Sequence, residues 1–214
     1  MRQVYAWMSA GLLITFSIAF AFYITGLTTA LMPLLLVAMI GEIILVIWLA
    51  TRIFQMPAQR ASRLFIAYAA LNGATMSVFF YFADLTEIFL ALFATGAMFA
   101  AMSIVGYTTT VDLSRFRGIL LMALIGLIIA SVANIFFAST TLYWLVTYAG
   151  VLIFVALTAY DTQWIKRNAE QIELMGVSGE AAIVRRVAII GALKLYLDFI
   201  NLFIYLLRIV SSDR

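Results

Sequence analysis

Four ionisable side chains stand inside stretches apolar enough to enter a lipid bilayer: Glu42, Asp161, Lys194 and Asp198. A charge at the bilayer centre costs at least about 2.5–3.5 kcal/mol, so each needs a partner, a proton or water. Lys194 and Asp198 belong to the run 191–208, whose polar residues Lys194, Asp198, Asn201, Tyr205 and Arg208 are spaced four, three, four and three apart. On a helix that spacing forms one face, expected to turn towards protein or water at the centre of the molecule. Lys194 lies one turn before Asp198, and an i,i+4 salt bridge would account for both, although lysine before the acid is the weaker order. Two carboxylates converging in an apolar interior are the other account. They cannot both ionise cheaply, so they share a proton and titrate as a unit.

The candidate second carboxylate is Asp161, which closes the apolar part of the preceding run. If its helix continues to Lys166, Asp161 lies about 7–8 Å inside the helix end, where the macrodipole disfavours an anion by about 0.3–1 kcal/mol. Asp198, twelve residues beyond Arg186, lies about 18 Å in. The two depths match only if residues 181–190 lie partly at the membrane surface. A third reading, an intramembrane hydrolase using the two aspartates as acid and base, is chemically allowed, but no separate substrate-gating element is evident.

The rest of the composition narrows the chemistry. The chain of 214 residues is 66% hydrophobic and 11% charged, more apolar surface than a soluble domain of this size could hide, which makes it an integral membrane protein. Cysteine and histidine are both absent. Disulfides, thiol catalysis and imidazole metal sites are therefore excluded, and any pH response near neutrality falls to carboxylates in unusual surroundings. The net charge of +3 is small and reflects topology rather than nucleic-acid binding.

The elements that must position these residues are seven apolar segments of roughly 20 residues, the length that spans a bilayer: Val4–Thr25, Met32–Phe54, Leu64–Phe82, Ile88–Tyr107, Gly118–Ala138, Leu142–Tyr160 with a polar extension, and Val187–Val210. The connections are short except for one of roughly twenty residues between the sixth and seventh segments. If every segment spans, Arg2, Arg52, Arg60, Arg63, Arg115, Arg117, Lys166, Arg167, Arg185 and Arg186 all fall on one side. The first, third and fifth connections hold no basic residue. By the positive-inside rule the N-terminus is cytoplasmic; a full seventh span, which the apolar length of about 24 residues favours, places Ser211–Arg214 outside, whereas a re-entrant last segment would return it to the cytoplasm. The two prolines, Pro33 and Pro57, sit at the ends of the second segment. Small residues in the fourth segment suit close helix packing, and Asn72 and Asn134 suit hydrogen bonds between helices.

Two stretches resemble a known family. Ala159-Tyr-Asp-Thr-Gln-Trp-Ile-Lys166 and Leu195-Tyr-Leu-Asp-Phe-Ile-Asn-Leu-Phe203, the latter extending through Leu206-Leu-Arg208, look like the two signatures of the Bax inhibitor-1 (transmembrane Bax inhibitor motif) family in its bacterial branch. The resemblance implies a single all-α domain of seven transmembrane helices, with the last helix surrounded by the other six. It implies that Asp161 and Asp198 form a di-aspartyl pH sensor gating a calcium leak, and that both touch calcium transiently. Arg52 would be the latch onto Asp161 in the closed state, with Arg60 or Arg63 as substitutes. Glu42 and Asn201 would line the ion path, and Lys194 would serve structural pairing. Calcium takes six to eight oxygen ligands, so so few intramembrane carboxylates suit passage rather than storage. The same resemblance implies no enzymatic activity and no cofactor, an inner-membrane location, and the lipid bilayer and calcium as partners. A membrane protease is the partner under an alternative, non-conducting regulatory role.

Overall fold

The computed structural model describes residues 1–174 and 181–211. Among them are seven helices long and apolar enough to cross a membrane and no strand. They are α1 (Arg2–Ile24), α2 (Met32–Arg52), α3 (Ala58–Met76), α4 (Leu85–Thr108), α5 (Arg117–Phe137), α6 (Thr140–Leu174) and α7 (Ala181–Val210). In hydrocarbon every backbone group must be satisfied within its own segment, which is why long apolar runs become helices. The protein is an all-α integral membrane protein. Of the seven, α7 is the most buried: 72% of its most apolar stretch is covered, against 6–39% for the others.

Local chemistry sets the helix ends. Pro33 falls in the first turn of α2 and Pro57 is the N-cap of α3, positions where a missing N–H costs nothing. The helix α3 begins six residues before the apolar run that starts at Leu64, because Ala61 and Ser62 are buried while Arg60 and Arg63 stay exposed. An amphipathic turn of this kind is invisible to mean hydropathy. Among the described residues, Asn134 bonds within the turn that follows its own helix rather than across to a packed neighbour. Its Oδ1 accepts the Ser139 N–H at 3.0 Å where Ala138 takes φ 46°, so it caps the end of α5.

The sixth helix departs most from expectation. It runs 35 residues to Leu174, about 52 Å at helical rise. The expected twenty-residue connection to α7 is mostly helix, since α7 already begins at Ala181. Residues 175–180 between them, and residues 212–214 with the expected external C-terminus, lie outside the described residues. Asp161 is thus near the middle of a helix rather than in its last turn. The macrodipole penalty, confined to the terminal turn, does not apply to it.

The chain forms two compact units, Met1–Asp84 with Asn168–Tyr196, and Leu85–Arg167 with Leu197–Arg214. In the first, α1 and α3 cross in backbone contact: a Cβ at Gly73 would lie 2.6 Å from the Thr15 carbonyl oxygen. The Arg185 guanidinium lies over the Trp7 ring at 5.5 Å and donates to Ser62 Oγ at 3.2 Å. In the second unit Leu127, Val146, Phe154, Leu202, Tyr205 and Leu206 form a continuous core. There the Tyr205 ring stacks on Phe154 in the space that Gly150 leaves open. Lipid gives helices no hydrophobic reason to associate, so these close approaches and interhelical hydrogen bonds hold each unit together.

Candidate functional site

Asp161 and Asp198 fall in the same unit, and both are almost fully buried, at 5% and 4% exposure. One face of α4 holds the neighbours of both. Phe99 meets Phe199, the residue after Asp198, edge-on with ring centroids 5.5 Å apart. One turn further along α4, Ser103 Oγ accepts from Thr162 Oγ1 at 3.5 Å. Past that, Gly106 lets the Ala159 backbone come so close that a Cβ would sit 2.8 Å from Ala159 Cα. Phe99, Ser103 and Gly106 are all buried on α4, at the spacing of a single helix face. The residues flanking the two aspartates therefore rest on points about 6 Å apart along α4.

The residue two beyond Asp161 has a defined task that the sequence did not reveal. Gln163 is 5% exposed. Its Nε2 donates to Val111 O at 2.8 Å, and its Oε1 accepts the Leu113 N–H at 2.8 Å. A side-chain amide bonded at both ends to one loop mimics a backbone pairing. It fixes the connection between α4 and α5 to α6. Arg167 pairs with Asp112 in the same loop, and Lys166 Nζ donates to Tyr107 O at 3.1 Å while lying over that residue's ring. The Ser114 hydroxyl and N–H, followed by the Arg167 guanidinium, hold the Asp112 carboxyl down at about 2.

The polar stripe on α7 divides. Asp198 and Tyr205 are buried, whereas Lys194, Asn201 and Arg208 keep partial exposure. Between residues 188 and 208, every position of α7 is buried except Lys194, Leu197, Asn201, Ile204 and Arg208. These follow one another at three, four, three and four residues, a second stripe beside the first. Asn201 Nδ2 donates back to Leu197 O at 2.8 Å, and the Arg208 guanidinium lies between the Tyr143 and Tyr205 rings.

Glu42 sits at the midpoint of α2, in the other unit. It is 9% exposed and accepts from Thr75 Oγ1 at 2.7 Å and Asn72 Nδ2 at 3.4 Å. Asn72 Oδ1 in turn accepts from the Tyr196 hydroxyl at 3.0 Å, and that hydroxyl lies 2.6 Å from Thr15 Oγ1. Asn72 does join helices, as its position in an apolar run suggests, and Thr15, Thr75 and Tyr196 complete the network around it. Hydroxyls on apolar helices look like ordinary packing until the partner is visible. Arg52, at the exposed end of α2, donates to Gln55 Oε1 at 2.7 Å. Arg60 lies over the Trp48 ring at 5.6 Å, and Arg63 is exposed. Among the described residues no cluster of three acidic side chains could hold a resident metal ion.

The family model described as inhibitor of apoptosis-promoting Bax1 matches residues 1–214. The inner membrane protein YbhL of Escherichia coli K12 is 46% identical over 221 residues, covering the whole of this chain and 92% of that protein. A protein of Deinococcus radiodurans is 38% identical over 216 residues, covering 99% of this chain and 90% of its own length. Seven apolar helices, the two aspartate-bearing stretches and a match over the full length converge, and the chain belongs to the Bax inhibitor-1 family.

Proposed function

We propose that this protein is a pH-sensitive calcium leak of the bacterial inner membrane, gated by Asp161 and Asp198. The observation that carries the proposal is the shared α4 wall. It brings the neighbours of two buried carboxylates within about one helical turn of each other. Carboxylates that converge in an apolar interior titrate as a pair, and on this reading a change in their shared charge biases the packing of α6 against α7. The partly exposed stripe through Leu197, Asn201 and Ile204 supplies the path beside Asp198. Two aspartates fall well short of the six to eight oxygens calcium prefers, so the ion passes without being stored.

The test is calcium flux into liposomes holding the purified protein, measured across pH. Asp198→Asn and Asp161→Asn are each expected to flatten the pH dependence. Flux with an unaltered pH profile in both variants refutes the paired gate. No flux at any pH, with a membrane protease co-purifying, refutes the leak and favours a non-conducting regulator.

A further inference from the structure

We infer that Glu42 is a second proton-binding site, separate from the aspartate pair, read out by a hydrogen-bond chain that reverses its polarity when the proton binds. The chain runs from Glu42 on α2 through Asn72 on α3 and Tyr196 on α7 to Thr15 on α1. Glu42, Asn72, Tyr196 and Thr15 are all buried, so their bonds to one another are sheltered from bulk solvent.

With Glu42 ionised, every donor points towards it. The Thr15 hydroxyl donates to Tyr196, the Tyr196 hydroxyl to Asn72 Oδ1, and Asn72 Nδ2 to the carboxylate. When a proton from solvent adds to a Glu42 oxygen, the new O–H needs an acceptor, and Asn72 offers one by turning its amide over. Its Nδ2 then donates to the Tyr196 oxygen, and the Tyr196 hydroxyl turns to Thr15. The two ends of the network have the alternative acceptors this reversal needs. Thr15 Oγ1 is 2.9 Å from Ala69 O and 3.0 Å from Gly11 O as well as 2.6 Å from Tyr196. Thr75 Oγ1 is 3.0 Å from its own-helix Asn72 O as well as 2.7 Å from Glu42. Both arrangements give every link of the chain one donor and one acceptor, and a half-reversed chain leaves a link with two donors or two acceptors facing each other, which makes the change concerted.

No heavy atom moves between residues, and one proton is gained. An amide accepts at oxygen and donates from nitrogen, so the chain transmits orientation and does not conduct protons along its length. Among the described residues, the ionisable side chains near Glu42 on the helices packed against it are Tyr68 from α3 and Tyr196 from α7. Its own helix brings only Arg52, ten residues on, and α1 brings the uncharged Thr15. The Tyr196 ring is held in place edge-on by Phe65 and Tyr68, each 5.8 Å away. The hydroxyl can therefore turn while the ring stays still. Tyr196 precedes Asp198 by two residues, so the state of Glu42 is felt on the helix that carries the proposed gate.

Infrared spectroscopy of the membrane-reconstituted full chain, titrated with pH, tests this without any calcium measurement. Two bands are followed: the protonated carboxyl band lost in Glu42→Gln, and the labelled-tyrosine C–O band lost in Tyr196→Phe. The expected result is that both change together at one midpoint, in the unmodified protein and equally in Asp161→Asn and Asp198→Asn. Glu42→Gln, which keeps the shape of the neutral acid, should abolish the pH response of the Tyr196 band. Asn72→Leu should leave Glu42 titrating while the tyrosine band no longer follows. A Tyr196 band that ignores the Glu42 titration, one that still titrates in Glu42→Gln, or a Glu42 that never changes protonation overturns the inference. The Glu42→Gln arm suffices alone if Asn72→Leu does not fold.

Discussion

The close backbone approach at Gly106, within the unit that carries both aspartates, gives a demanding test of the packing. A Cβ at Gly106 would sit 2.8 Å from both Ala159 Cα and C, and closer still to the Ala159 carbonyl oxygen, whereas ordinary contact begins at 3.4 Å. Gly106→Ala therefore forces α4 and α6 apart by at least about 0.6 Å. The obstacle is backbone, so no side chain can swing away. Overpacking of this kind costs about 1–3 kcal/mol, and helix propensity returns about 0.8–1 kcal/mol for the same Gly→Ala change, so the net loss is expected to be about 0–2 kcal/mol, and about 1–3 kcal/mol relative to a Gly→Ala change that meets no obstacle. Gly96 provides the control. It lies on the same helix, and a Cβ there meets nothing within 4 Å, so Gly96→Ala should be neutral or stabilising. Thermal unfolding of the two variants in one detergent should give a lowered midpoint for Gly106→Ala and an unchanged or raised one for Gly96→Ala. Because Ala159 precedes Asp161 by two residues, Gly106→Ala should also alter the pH profile of any calcium flux. A Gly106→Ala protein as stable as Gly96→Ala would refute the α4–α6 crossing and the placement of Asp161 that rests on it.

Gln163→Leu removes both bonds that tie α6 to the connection between α4 and α5, a loss of about 1–3 kcal/mol for two ordinary hydrogen bonds. Hydrogen exchange should rise at residues 109–116 and stay low through the middle of α6, and equal protection in the variant would refute the tie. Asp112 is a pH control. Its carboxyl is held at about 2, below its ordinary unfolded value, so it favours the folded state above about pH 4. That contribution disappears only as pH falls through about 2. Asp112→Asn should therefore leave a near-neutral pH profile of calcium flux where it was, and a displaced profile would show that this loop takes part in sensing.

The seven spans could be read from the sequence because a bilayer demands long apolar runs and permits little else. Asp161 and Asp198 stood out for the same reason, since a carboxylate in hydrocarbon is costly. The length of α6 could not be read that way. Beyond Ile165 its turns carry Lys166, Arg167, Glu170 and Glu173, as a helix outside the hydrocarbon is free to do, and hydropathy treats such residues as a loop. Asn134 looked like glue between helices and proved to be a cap, because an amide near a helix end has its own carbonyls and the next N–H within reach. Gln163 and Tyr196 were in plain view beside the two aspartates. Their tasks depend on which loop or helix lies opposite, and no spacing along one chain states that.

The partly exposed stripe of α7 has a consequence for what a gate must do. From Lys194 to Arg208 it advances fourteen positions, about 21 Å of helix. Its period of three and a half residues drifts only about 20° per heptad, so it runs nearly straight along the helix instead of winding round it. The hydrocarbon slab is about 30 Å thick. If water reaches the length of the stripe, only about 9 Å of dry barrier is left, roughly the depth of two layers of side chains. Closing so thin a partition needs no large movement of helices; the turn of one or two side chains would be enough to seal it.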